Sequence, residues 1–296
     1  MGHAIRGYHV QTSLLAIGVV YALGSAHAFA NPVAKSPAAL ADPHSQPGMG
    51  KHAPAGTKWG SLQGPLFGDH APWVWASDVI QGDVGDCTLM APIADLARIR
   101  PEVIKEHIID KGNGSVVITL YDGQSLQPVQ VVVDKQVPML NGKPIYAKAS
   151  KDGKIWAALV EKAVAKLRGD YDLTQGHTTG QMATLTGWQC TGMPAPLAPS
   201  VALSLMRSHL KERHIVLTST LDPTNFALLP PAIQKGLKPG HEVSILATKA
   251  SSPQAATILI RNPWGNATQV GDGFVWYSLE DYSRIFEGMN ICGPDL

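Results

Sequence analysis

The stretch from Gln81 to Cys87, Gln-Gly-Asp-Val-Gly-Asp-Cys, is the most informative part of this chain, because a Gly/Asp-rich turn ends there on one cysteine. Asp86 is a residue type that favours the N-cap of a helix, and apolar residues recur at helical spacing after it, up to about Arg100. Cys87 is therefore predicted in a first helical turn, where free backbone N–H groups and the helix dipole stabilise a thiolate. The competing interpretation is a small buried hydrophobic residue, which most free cysteines are.

Two later stretches favour a catalytic cysteine. His241 follows a Pro-Gly turn and opens an apolar run that predicts a strand, and Asn262 ends a second predicted strand just before Pro263. His241 lies about 150 residues after Cys87, and Asn262 about 20 residues further on, which is near the order and spacing of papain-like proteases. In that chemistry the histidine moves the thiol proton to the leaving amine, and the asparagine orients the imidazole.

Four further residues are predicted to complete the site. Gln81 is placed to donate a side-chain N–H to the oxyanion, with the Cys87 N–H as second donor. Trp264 is expected either to cover the histidine–asparagine hydrogen bond or to be an ordinary core residue. Gly85 and Asp86, which directly precede the cysteine, are assigned to the wall of the substrate cleft.

The chain resembles the protease core of the calpain family in three blocks that occur in the family's order: 78–87, 156–171, and 236–241 together with 260–265. The resemblance implies an α+β fold, the papain-like two-lobed cysteine protease fold, with a helical lobe, a β-rich lobe and the active cleft between them. It also implies a calcium-dependent-type cysteine endopeptidase that cleaves protein or peptide substrates through a thioester acyl-enzyme. Cys87, His241 and Asn262 would be its triad, with Gln81 at the oxyanion hole.

Three departures from the family pattern keep alternatives open. Thr88 stands where the family usually has tryptophan, Glu242 where it usually has a small residue after the histidine, and Pro92 lies inside the predicted helix. They bear on substrate preference and rate more than on reaction type. The alternatives are a transpeptidase or acyltransferase that uses the same triad, and an inactive peptide-binding pseudoprotease.

Only the resemblance to the calpain family implies a role for calcium. Asp78 and Asp172 lie near positions where the family places calcium ligands, but a capping or solvated carboxylate is the preferred interpretation of each, so no metal site is assigned. No EF-hand loop pattern occurs in the chain. With 24 Lys and Arg against 23 Asp and Glu, there is no basic excess to favour a nucleic acid partner.

Residues 1–28 have the pattern of a signal peptide: a basic Arg6, an apolar run from Leu14 to Leu23, and Ala26-His27-Ala28 as a small-x-small cleavage site. They predict an exported protein, periplasmic or secreted, without stable membrane association after cleavage; an uncleaved anchor is the alternative. Residues 29–58 are rich in Pro, Ala, Gly, Ser and His and predict a flexible leader, with a spacer preferred to an inhibitory propeptide.

The remaining chain is divided into a helical lobe, 59–188, which carries the nucleophile, and a β-rich lobe, 189–296, which carries the histidine and asparagine. Hydrophobic periodicity and turn signals predict helices at 87–100, 154–168 and 201–213, and strands at 115–121, 128–134, 214–219, 242–248, 257–261 and 274–277. Of the three cysteines, Cys190 and Cys292 either pair in an oxidising compartment, the only pairing compatible with activity, or stay as buried thiols.

Overall fold

The computed structural model describes residues 36–193, 198–250, 252, 255–265 and 271–296. The predicted signal peptide and residues 29–35 of the predicted leader lie outside the described residues. Residues Pro32–Leu296 cluster as one unit, so the lobe boundary at residue 188 stays a prediction. Within the described ranges, no helix is long and apolar enough to cross a membrane.

Helices and runs of consecutive strands are interspersed along the described chain. The helices are α1 (Pro37–Ala41), α2 (Cys87–Ile99), α3 (Pro101–His107), α4 (Trp156–Arg168), α5 (Thr178–Thr186), α6 (Pro199–Lys211), α7 (Pro223–Phe226), α8 (Pro231–Gln234) and α9 (Leu279–Ile285). The strands are β1 (Lys58–Ser61), β2 (Ile108–Asp110), β3 (Ser115–Tyr121), β4 (Pro128–Asp134), β5 (Gln136–Leu140), β6 (Lys143–Pro144), β7 (Gln189–Met193), β8 (Ile215–Thr220), β9 (Glu242–Lys249), β10 (Thr257–Arg261), β11 (Phe274–Ser278) and β12 (Phe286–Gly293).

An antiparallel six-stranded sheet in the order β11-β10-β9-β8-β12-β7 forms the second half of the domain. The first half contains two three-stranded sheets, β1-β5-β6 and β2-β3-β4, as well as helices. The region predicted as a helical lobe therefore contains both helices and strands. The sequence pattern predicts only β3 and β4, because the other strands are short and gain their stability from pairing with neighbouring strands. The α+β class is confirmed.

Helix α2 lies between the two halves and packs against β8, β9 and α5. All of its residues except Thr88 and Arg98 are buried, so the helix is held from every side. Pro92 does not end it, although proline removes one backbone hydrogen bond from a helix interior. Burying a large apolar side chain is worth roughly 1.5–3 kcal/mol, and several such side chains along α2 offset that loss.

The described part of the predicted leader, residues 36–58, makes several contacts with the rest of the domain. Leu40 is buried in the main hydrophobic core, and Gly48 forms a parallel bridge with Asp170. The Lys166 ammonium donates to the carbonyl oxygen of Asp42 at 2.5 Å. The segment has few large apolar residues, and it is held by backbone and side-chain hydrogen bonds that its composition does not show.

Cys190 and Cys292 form a disulfide between β7 and β12, where they are directly opposite each other in the strand register. The structure thus contains the disulfide and not the alternative of two buried thiols. Cys87 is the free cysteine.

Candidate active site

Cys87 is the first residue of α2 and is 8% exposed. Asp86 is the N-cap residue by position, but its side chain makes no capping hydrogen bond. The Cys87 Sγ accepts a hydrogen bond from the backbone N–H of Glu242 at 3.5 Å. This contact brings the sulfur beside the residue that follows His241.

His241 and Asn262 are both buried, and the His241 Nε2 lies 2.8 Å from the Asn262 Oδ1. The same Oδ1 accepts the backbone N–H of Trp264 at 3.0 Å, so it is the acceptor side of the amide. Nε2 therefore carries the proton, and Nδ1 is left as the basic nitrogen. The Trp264 indole lies 4.2 Å from the imidazole, centroid to centroid, and covers the histidine–asparagine pair.

Burial shifts the pKa values of both groups. Loss of solvent raises the pKa of the Cys87 thiol to about 11, and the nearby carboxylates of Glu242 and Asp86 act in the same direction. Burial also lowers the pKa of His241 to about 4, against the hydrogen bond with Asn262. Desolvation thus opposes the stabilisation of a thiolate by the start of the helix, and the transfer of the thiol proton to a nearby base is needed for the sulfur to act as a nucleophile.

Gln81 lies beside the nucleophile turn. Its backbone N–H donates to the carbonyl oxygen of Pro263 at 2.9 Å, and its Nε2 donates one hydrogen to the Val84 carbonyl at 2.7 Å. Nε2 carries two hydrogens, so it can donate to one more acceptor besides Val84, and the Asp86 carboxylate is such an acceptor nearby. Gln81, Gly85 and Trp264 line one cleft of about 620 Å³, together with Lys148.

Asp86 does not line that cleft, because its side chain is buried against Glu161 of α4. Both carboxylate oxygens of Glu161 lie 3.1 Å from the N–H of Ala147. Burial raises the pKa of Asp86 to about 6 and raises that of Glu161 well above its ordinary value. The pair keeps a proton because two adjacent buried charges repel each other. Glu161 was missed, since a glutamate in an amphipathic helix gives no signal of such a partner.

Two more residues that the sequence analysis missed hold the Gln81 segment in place. A Cβ on Gly82 would lie 2.2 Å from the Tyr146 carbonyl oxygen, so only glycine fits there. Arg261 is fully buried and donates to the carbonyl oxygens of Val79, at 2.6 Å, and Asn262. Arg261 thereby links Asn262 to the segment of chain that leads to Gln81.

The two carboxylates near the family's calcium positions have protein partners. The Asp78 Oδ1 lies 2.7 Å from the Lys154 Nζ, and both side chains are 4% exposed. The Asp78 Oδ2 accepts the Trp75 N–H and the Trp156 indole N–H, at 2.8 and 3.0 Å. The Asp172 Oδ2 lies 2.9 Å from the Lys51 Nζ.

Over the part of the chain that the structure describes, no group of three or more His, Cys, Asp or Glu side chains is placed to hold a metal ion. Because the Asp78 and Asp172 carboxylates are already paired with ammonium groups, these residues do not fit a calcium site.

A cysteine at a helix start, with a histidine and an asparagine paired on the facing sheet, defines a papain-like cysteine protease class of site. Residues 72–272 match the sequence model of the calpain family cysteine proteases. The chain belongs to this family.

Among curated relatives, calpain clp-1 of Caenorhabditis elegans is 28% identical over 255 residues, which cover 74% of this chain and 32% of the relative. Calpain-B of Drosophila melanogaster is 30% identical over 258 residues, with 74% and 28% covered. The calpain-1 catalytic subunit of Homo sapiens is 28% identical over 255 residues, with 74% and 35% covered. The chain thus spans about a third of the length of these relatives.

Proposed function

We propose that the chain is a cysteine endopeptidase that hydrolyses peptide bonds through a thioester acyl-enzyme. The observation that carries the proposal is the contact between the Cys87 sulfur and the backbone N–H of Glu242, the residue that follows His241, together with the imidazole oriented by Asn262. Membership of the calpain family of cysteine proteases supports it.

The His241 Nδ1 takes the thiol proton, and the Cys87 Sγ attacks the carbonyl carbon of the substrate. The oxyanion is stabilised by the Cys87 N–H and the side-chain Nε2 of Gln81. The imidazolium gives its proton to the leaving amine as the C–N bond breaks. Water, deprotonated by the same nitrogen, then cleaves the thioester to a carboxylic acid and the free thiol.

The test is labelling of the purified chain with a peptide epoxide inactivator of the papain type, with the modified residue located by mass spectrometry. We expect labelling at Cys87 that falls about 100-fold in His241→Ala, the range of general acid–base effects. His70→Ala, which removes an exposed imidazole, is the matched control and should label like the wild type. A folded wild-type chain that does not label at all would overturn the proposal in favour of the pseudoprotease.

Product analysis separates hydrolysis from acyl transfer. With a peptide substrate and an added amine nucleophile, a hydrolase gives mainly the free carboxylic acid. Predominant peptide–amine adducts would instead favour the transpeptidase or acyltransferase alternative.

We also propose that the chain is exported to a periplasm or beyond. The signal-peptide pattern of residues 1–28 supports export, and so does the Cys190–Cys292 pair, because disulfides persist in oxidising compartments. Cell fractionation with N-terminal sequencing should find the chain outside the cytoplasm with residues 1–28 removed. Cytoplasmic chain that retains Met1 would contradict export.

A further inference from the structure

The carboxylate of Glu242 is buried beside the nucleophile without a cationic partner. The side chain is 3% exposed, its Oε2 accepts the Ser219 hydroxyl at 2.5 Å, and its Oε1 accepts the Asn290 amide at 3.1 Å. Thr178, at the start of α5, is a further neutral donor. No lysine or arginine in the described ranges forms an ion pair with it. A buried carboxylate held only by neutral donors is an unusual arrangement, since buried charges are normally paired.

Strand register places a second carboxylate in the same row. Glu242 on β9 is directly opposite Ser219 on β8, and Ser219 is directly opposite Glu287 on β12. Residues directly opposite each other share a face of an antiparallel sheet. The acidic row, defined as Glu242, Ser219 and Glu287, therefore lies on one face, and Glu287 is half-exposed.

This face is the one that carries the nucleophile helix. Ser244 lies two residues after Glu242 on β9, and so points to the same side of the sheet. Its hydroxyl donates to the Ala91 carbonyl of α2 at 2.8 Å. Since the backbone N–H of Glu242 contacts the Cys87 sulfur, the acidic row begins at a residue next to the reacting atom.

The rim of this region is open to a ligand. Ser219 and Asn290 are half-exposed, while Gly192, opposite Asn290 in the strand register, is exposed and has no side chain to cover them. The residues that line the Gln81–Trp264 cleft are different ones, so the acidic row is a separate feature beside the nucleophile.

We propose that Glu242 is the base of a substrate side-chain pocket, with Glu287 at its mouth, which selects a lysine or arginine close to the scissile bond. The proposal rests on the proposed peptidase function and names its specificity. Burial raises the pKa of Glu242, and an approaching cation favours its ionised form. The substrate cation then replaces a neutral donor at the half-exposed rim and forms a charge-assisted hydrogen bond in a region of low dielectric. An acidic substrate side chain is rejected there, because it would meet two carboxylates.

The experiment compares fluorogenic peptides that carry either arginine or citrulline at each position around the scissile bond. Citrulline has nearly the same shape without the charge, so the ratio of the two kcat/KM values measures charge recognition alone. We expect a ratio of about tenfold or more at one position in the wild type. In Glu242→Gln, which keeps the side-chain shape, the ratio should fall close to one.

Two further variants test the mouth of the pocket and the effect of removing a surface charge elsewhere. Glu287→Gln alters a half-exposed residue and should lower the ratio about two- to threefold, because a charge at the mouth is screened by water. Glu280→Gln removes an exposed carboxylate from α9 and is the matched control, with an unchanged ratio.

Titration of Cys87 with the epoxide counts competent sites independently of specificity. If Cys87 labels and peptides are cleaved, but arginine and citrulline are equivalent at every position, the pocket is wrong and the peptidase stands. A wild-type preference that survives Glu242→Gln also overturns the pocket. If Glu242→Gln does not fold, the pocket is still supported when the wild type prefers arginine to citrulline and Glu287→Gln weakens that preference. A chain that neither labels nor cleaves overturns both proposals.

Discussion

Cys87 and His241 show at the scale of single residues how burial decides chemistry. The helix start favours a thiolate, but the surrounding protein removes water and adds two carboxylates, so the pKa of the thiol rises to about 11. A base must therefore take the thiol proton, and the Nδ1 of His241 is left free for this by the hydrogen bond between Nε2 and Asn262. Asn262 and Trp264 orient that imidazole.

Gly82 is where a single methyl group would disturb the site most directly. In Gly82→Ala the new Cβ would clash with the backbone carbonyl of Tyr146, so the Gln81 segment must move and overpacking should cost about 1–3 kcal/mol. Gly180→Ala in α5 is the matched control, because its Cβ would have no atom within 4 Å. Urea unfolding measures the loss of stability, and kcat/KM measures how the movement of the Gln81 segment affects activity. Equal values for the two variants would show that the close approach at Gly82 has no consequence.

The sequence pointed to the residues that carry the chemistry but not to those that support them. Cys87, His241 and Asn262 stand next to turn signals and in a recognisable order. Glu161 and Arg261 depend on partners far away in the chain, and such contacts leave no local sequence pattern.

At the scale of elements, the Asp86–Glu161 pair joins the start of α2 to α4 through a shared proton. The folded pKa of Asp86, about 6, lies above its ordinary value of 3.8, so the folded state binds the proton more tightly than the unfolded state does. This contribution to the free energy of unfolding is fully present below pH 3.8 and is lost as the pH rises through about 6.

Glu161→Gln should reduce this pH dependence, because an amide can donate to Asp86 without titrating. Urea unfolding of the wild type and Glu161→Gln between pH 4 and pH 7 measures it, and the variant should gain stability relative to the wild type as the pH rises. Glu106→Gln removes an exposed carboxylate of α3 and should follow the wild type. Parallel curves for the wild type and Glu161→Gln would contradict the shared proton.

Elements with strong local patterns were predicted closely, and those that depend on pairing were not. Strands β3, β4 and β10 have the predicted bounds, and α4 ends at the predicted Arg168, where Gly169 with a positive φ of 102° forms the C-cap. Strands β7 and β12 contain glycine and polar residues, and they are extended because each pairs with a neighbour. The described part of the leader likewise makes tertiary contacts that its composition does not show.

At the scale of the whole molecule, lysines from separate parts of the chain neutralise the acidic groups that the family resemblance associates with calcium. Lys154 pairs with the buried Asp78, and Lys51, from the segment before the first strand, pairs with Asp172. Folding thus brings its own cations to these carboxylates. A divalent ion would first have to displace an ammonium group, which in the case of Lys154 is itself buried.

We therefore expect peptidase activity and the thermal unfolding midpoint to be the same in EGTA and in millimolar calcium. Lys154→Met should lose about 3–5 kcal/mol of unfolding free energy, because it leaves the buried Asp78 carboxylate unpaired. Lys143→Met, which removes an exposed lysine, is the matched control and should stay within about 0.5 kcal/mol of the wild type. Activity that disappears in EGTA and returns with calcium would show instead that the ion binds elsewhere or displaces the lysines, and that the domain needs it to assemble its site.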